Sequence, residues 1–194
     1  AACEQNTEGC WAVPYLPIDP RDVGRTYESI IRINSQSGKG GIAYVMDREF
    51  GYKLPKEMQP EFGAIIQKIS DVTDGELPAQ TVYDAFAREY LHATPCYKLK
   101  GFEVVKRHIG DNEDQSNATV EAVLLIDGKE EKIGASGNGP LDAFCEALRA
   151  GLGLSFTLQS YHEHALTKGS SAKAVSYIMV ANGEGREFWG AGVD

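Results

Sequence analysis

Three short stretches carry residue types that could do chemistry. Gly38-Lys39-Gly40-Gly41 sets a lysine among glycines, the composition of a phosphate cradle. It lacks the full GxxxxGKS/T spacing and a clear preceding strand, so a tight turn is expected rather than nucleotide binding. His162-Glu163-His164 places two imidazoles at i and i+2, which share a face on a strand and could suit a metal. No third ligand is suggested nearby, because Cys145 and His108 belong to other elements; partly exposed strand histidines are the alternative. Gly134-Ala135-Ser136-Gly137-Asn138-Gly139-Pro140 is a glycine-rich strand-to-helix junction. Its glycines let backbone approach closely, and the helix start offers free N–H groups to the carboxylate of a small organic or amino acid. A tight turn with Asn138 as helix cap accounts for the same residues. No GxSxG elbow is present, so nothing here requires a nucleophilic enzyme.

The elements that must position these residues change character along the chain. Val13 to Pro20 holds three prolines in seven residues and is expected to lie as an extended strap. Tyr27 to Asn34 is a short apolar run, and Ile42 to Phe50 fits helix or strand equally by periodicity. Met58, Phe62, Ile65, Ile66 and Ile69 mark one helical face, with Pro60 near its start. Val82, Phe86 and Tyr90 mark another, with Pro78 in the first turn. After His92-Ala93-Thr94-Pro95 the pattern turns to strands. Tyr97 to Arg107, Val120 to Ile126 and Lys129 to Ala135 are expected strands, the last two joined at Asp127-Gly128. Leu141, Phe144, Cys145 and Leu148 give a helix that Gly151 or Gly153 ends.

Three further strands follow: one around Leu154, Phe156 and Leu158, then Ala172 to Ala181, then Arg186 to Val193. Ile133 to Asn138 and Trp189 to Asp194 echo one another, with Asp194 where a second helix cap would stand. An internal βββα duplication lacking its last helix is expected, a pseudo-twofold α+β domain. Two equivalent junctions would then frame one shared cleft for a small ligand.

Composition narrows the class. The chain has 194 residues, 42% hydrophobic and 24% charged, the balance of a globular protein. Its net charge of −9 supplies no basic face for nucleic acid and no attraction to an anionic membrane. No apolar run is long enough to span a bilayer, and the N-terminus lacks the pattern of a secretory signal. Cys3, Cys10, Cys96 and Cys145 form no CxxC pair, and read as free thiols in a reducing cytoplasm. The absence of an initiating Met suggests a processed chain or a fragment.

Three strings go beyond spacing: Val13 to Pro20, Arg32 to Gly41, and Gly137-Asn138-Gly139-Pro140-Leu141. They resemble the 2-isopropylmalate synthase family, in its longer bacterial and fungal branch, over essentially the whole chain. The resemblance implies an enzyme that condenses acetyl-CoA with 2-oxoisovalerate on the way to leucine. It implies a catalytic TIM barrel with a divalent metal, both outside this chain, so the fragment alone should be inactive and hold no cofactor. It implies a Pro-rich linker subdomain over 1–53, a helical linker subdomain over 54–95 and a leucine-binding regulatory domain over 96–194. It also implies a homodimer.

By position, the resemblance assigns Tyr15 to a linker tyrosine that approaches the active site. For leucine it points to Asn138, Gly139, Pro140, Leu141 and Asp142 at the first junction. It adds Leu158, Tyr161 and Ala165 on the fourth strand, Ala172 and Ala174 on the fifth, and Asp194 at the second junction. Asp142 departs from the small residue expected there. Leucine is expected to bias one arrangement of the regulatory domains, which the linker passes to the barrel. A citramalate or homocitrate synthase sensing another effector, and a non-enzymatic binding or dimerisation module, are the rival readings.

Overall fold

The computed structural model describes residues 20–24, 39–73, 76–92, 96–107, 117–167, 169 and 171–194. Tyr15, most of the proline-rich strap and the apolar run 27–34 lie outside the described residues. Contacts divide the chain into residues 1–32 and residues 33–194. The first unit contributes a single 3-10 turn, Pro20–Val23, among the described residues.

The second unit begins with helices α1 (Lys39–Phe50), α2 (Gln59–Thr73) and α3 (Ala79–Phe86), the last continued by a π turn over Ala87–Leu91. α1 settles the ambiguity over 42–50 in favour of helix, because Ile42, Val45 and Met46 recur on one buried face. Lys39-Gly40-Gly41 is its first turn and not a tight turn. Met58, Phe62 and Ile66 of the second expected stripe are buried, as are Val82, Phe86 and Tyr90 of the third. Aromatic edges knit this core: Phe86 meets Tyr52 at 5.3 Å and Phe62 at 5.6 Å between centroids. The Tyr90 hydroxyl donates to Glu61 Oε1 at 2.9 Å at the edge of this core.

The remainder is two three-stranded antiparallel sheets, β1-β2-β3 and β4-β5-β6. β1 is Tyr97–Arg107, β2 Asn117–Ile126 and β3 Lys129–Gly137; α4 is Pro140–Leu152; β4 is Phe156–Ala165, β5 Ala174–Asn182 and β6 Glu187–Val193. The βββα–βββ order and the α+β class expected from sequence are what the chain adopts. Asp127 and Gly128 both have positive φ, 49° and 81°, the two-residue turn that matches strand twist. The β5–β6 connection is one residue longer: the Asn182 N–H donates to the Arg186 carbonyl at 2.9 Å across Gly183-Glu184-Gly185. Gly185 takes φ 78° there.

The duplication extends to irregularities. β1 slips register between Leu99 and Gly101, and β4 slips between Leu158 and Ser160, each three residues into its strand. Matching the bulges aligns Leu99 and Phe102 with Leu158 and Tyr161. It also places Asp194, which exchanges both backbone bonds with Ala174 at 3.0 Å, as the counterpart of Gly137 opposite Ala118. The sequence echo alone points to Asn138 as that counterpart; the extra residue in the second hairpin moves it by one.

α4 packs on β2 and β3 through Ala143 and Ala147, which are fully buried against Ala118, Val120, Ala122, Leu124 and Ile133. Phe144 and Leu148 of the periodic stripe are partly buried and flank this centre. Small residues win the centre because the helix lies so close to the sheet. A Cβ on Gly151 would stand 2.4 Å from Ile133 Cγ2, and one on Gly137 would stand 2.5 Å from the Ala143 nitrogen. Gly153, with φ 65°, ends the helix as expected. Among the described residues no helix is long and apolar enough to cross a membrane.

Candidate functional site

In an antiparallel sheet paired residues point to the same side and neighbours along a strand point to opposite sides. The pairings Leu158↔Val180, Tyr161↔Ile178, Glu163↔Ser176 and Ala165↔Ala174 therefore define one face of the second sheet. Gly190 and Gly192 of β6 continue it. Leu158, Tyr161, Ala165 and Ala174, assigned separately by resemblance, thus share this face. Asp194 adjoins it through its two bonds to Ala174. By the bulge alignment it is the counterpart of the face that α4 covers on the first sheet.

An open concavity of about 400 Å³ lies at the end of this face, lined by Glu163, Ala174, Ser176, Gly192, Val193 and Asp194. Glu163 is the chemically distinctive member. The Tyr161 hydroxyl donates to Glu163 Oε2, and this bond to the carboxylate raises the Tyr161 pKa. At the corresponding positions the first sheet carries apolar Val104 and Phe102. The second sheet has thus exchanged two apolar groups for a carboxylate and a phenol. A carboxylate beside a hydroxyl, over small residues and two glycines, suits the ammonium of a small amphiphile. Glu163 was visible in the sequence only as the middle of a His-Glu-His string; comparing the two repeats bulge on bulge is the signal that singles it out.

The first-junction residues do not line this concavity. Gly139, not Asn138, is the N-cap of α4, and it makes no side-chain capping bond. Pro140 occupies the first turn, where a missing N–H costs nothing. Asp142 reaches back, and its Oδ2 accepts the Asn138 N–H at 2.9 Å. The side chain that departs from family expectation therefore sets a carboxylate of its own at this helix start. Asp142→Ala is expected to cost about 1 kcal/mol, the usual scale for losing such a terminal bond. A thermal melt beside that of Asp142→Asn, which keeps the acceptor, checks it.

His162 and His164 point to the opposite side of β4 from Glu163 and meet the helical segment. His162 Nε2 lies 3.8 Å from Glu57 Oε2. His164 Nε2 lies 3.0 Å from the Gly51 carbonyl and 3.2 Å from the Lys53 nitrogen. They share a face, as the spacing implied. Among the described residues, however, no three His, Cys, Asp or Glu side chains stand together as a metal site. Cys96 and Cys145 are free, and burial pushes the Cys145 thiol up.

Comparison with known proteins bears on this arrangement. The family model described as LeuA allosteric (dimerisation) domain matches residues 76–194. The chain belongs to that family. A second model, alpha-isopropylmalate synthase, post-catalytic domain-like, matches residues 1–47. The LeuA-type domain here is similar to that of 2-isopropylmalate synthases. The Corynebacterium efficiens protein is 42% identical over 94% of this chain and 30% of its own length. The Clostridium acetobutylicum protein is 45% identical over 94% of this chain and 32% of its own. That of Rhodospirillum rubrum is 39% identical over 100% of this chain and 34% of its own. The chain thus spans about a third of the curated relatives it matches and corresponds to their regulatory, dimerisation region.

Proposed function

We propose that this chain is the leucine-sensing region of a 2-isopropylmalate synthase and that leucine is its feedback effector. The reading rests on one observation above all: Leu158, Tyr161, Ala165 and Ala174 share a sheet face whose open end carries Glu163. The ammonium of leucine meets the Glu163 carboxylate, the Ser176 hydroxyl lies beside it, and the isobutyl group lies along Ile178 and the Tyr161 ring. Its carboxylate is taken by backbone N–H groups and not by α4 of the same chain, where Asp142 already supplies one. Asn138 to Leu141 remain candidates for closing the site from a second copy of the chain, the partner that the dimerisation family supports.

In the whole protein a barrel outside this chain condenses acetyl-CoA with 2-oxoisovalerate. A divalent metal bound there would supply the Lewis acid. The role of this chain in that protein is to bind the effector and report its occupancy. Leucine alters the distant chemistry only through a difference in its affinity for two arrangements of these domains. Taken alone the chain does not catalyse the condensation.

Calorimetric titration with leucine, with isoleucine, valine and lysine in parallel, tests the reading. Selective leucine binding at one site per chain is expected. A preference for isoleucine or lysine would reassign the effector, and silence with all four from a folded chain would remove the sensing function.

A further inference from the structure

The second sheet is one backbone layer with two unlike faces. On one lie Tyr161, Glu163, Ala165, Ala174 and Ser176; on the other lie His162, His164, Val175 and Tyr177, alternating with them residue by residue. The second face is docked. Val175 and Tyr177 are fully buried. The His164 ring stacks on Tyr177 with centroids 5.7 Å apart, and its Nε2 reaches the Gly51–Lys53 backbone just beyond α1. Gly51 takes φ 78° at that corner, and a Cβ on it would meet the Leu166 carbonyl at 3.6 Å.

Two features make this dock divided against itself. His164 Nε2 stands within bonding distance of a carbonyl and of an N–H, yet one nitrogen serves one of them: protonated it donates to Gly51, unprotonated it accepts from Lys53. The Tyr177 hydroxyl, buried beneath the same corner, has no hydrogen-bond partner among the described residues. A buried hydroxyl left unpaired works against the docked state, whereas undocking returns it to water.

We infer that the His164–Tyr177 contact with the Gly51–Lys53 corner is a two-state latch between the helical segment and the second sheet, and that an effector on the Glu163 face closes it. The second half of this inference rests on the effector reading above. A ligand held between Glu163, Ser176 and Asp194 ties β4, β5 and β6 together at their shared end. That pairing, through His164↔Val175, is what holds His164 and Tyr177 side by side. His164 is then a positioning residue: it touches no ligand, and it passes the state of one face to the segment on the other.

Hydrogen exchange at the Tyr52 and Lys53 amides of the full chain reads the latch directly. Tyr177→Phe removes the unpaired hydroxyl and is expected to slow that exchange about tenfold, while His164→Ala speeds it about tenfold. Exchange within α4 stays unchanged in both. Saturating leucine slows Lys53 exchange in the unaltered chain. In His164→Ala leucine still binds within about threefold of its usual affinity but no longer moves that signal. Variants that shift exchange in the same direction, or not at all, overturn the latch. Leucine binding seen by calorimetry with Lys53 exchange unmoved overturns its coupling to the effector. A chain that leaves leucine unbound removes the effector reading and the coupling together, and the opposed shifts of the two variants then decide the latch alone.

Discussion

Gly137→Ala should unfold the first βββα unit well before the rest of the chain. A methyl there would stand 2.5 Å from the Ala143 nitrogen, 2.6 Å from Asp142 Oδ2 and 2.9 Å from Ala143 Cα. Two of these three neighbours are backbone of the first turn of α4, so no side-chain rotation relieves them. The helix must lift from β3, which withdraws Ala143 and Ala147 from Val120, Ala122 and Leu124 and breaks the bond from Asn138 to Asp142. Overpacking of this kind costs about 3 kcal/mol. In a chain of this size that lowers the melting temperature by roughly 6–12 °C. Gly190→Ala is the matched control: a Cβ there meets nothing within 4 Å, so its melt should stay within about 0.5 kcal/mol of the original. Equal losses in the two variants would mean that glycine's backbone freedom, and not the close approach of α4, is what position 137 needs.

Glu163→Gln should weaken leucine binding by about 10- to 100-fold, the worth of a charge-assisted hydrogen bond. The amide keeps the size of the side chain and an oxygen to accept the Tyr161 hydroxyl, so the fold and the melt should hold. Only the charge opposite the ammonium is lost. The α-hydroxy analogue of leucine, which has no ammonium, separates the two contributions. It should bind the original chain weakly and be indifferent to Glu163→Gln. If Glu163→Gln left leucine affinity unchanged, the ammonium would lie elsewhere on the sheet, and the concavity at Ser176 and Asp194 would not be the effector's polar end.

Much of the architecture was legible from local pattern. The stripes at Met58 to Ile69 and Val82 to Tyr90, the Asp127-Gly128 turn and the Gly153 stop each depend on interactions within a few residues, which periodicity and turn chemistry encode directly. The repeat of strand triplets was legible for the same reason. What periodicity reports is which residues share a face, not what covers that face. So Leu141, Phe144, Cys145 and Leu148 correctly announced α4, whereas the fully buried centre at Ala143 and Ala147 followed from how near the sheet lies. Lys39-Gly40-Gly41 looked like a turn by composition, and packing of Ile42, Val45 and Met46 carried the helix back through it.

The site divides along the same line. By itself the sequence determined the class of fold, the order of its strands and the family, and through that resemblance it named Leu158, Tyr161, Ala165 and Ala174. Strand register alone decided that these four share a face with Glu163, because a one-residue bulge at Leu158/Ser160 sets the parity of everything beyond it. Tertiary structure likewise decided that His164 faces away from them, toward the Gly51–Lys53 corner 111 residues earlier in the chain. Each of these outcomes depends on where a separate segment comes to lie, and spacing along one strand or helix holds no information about that.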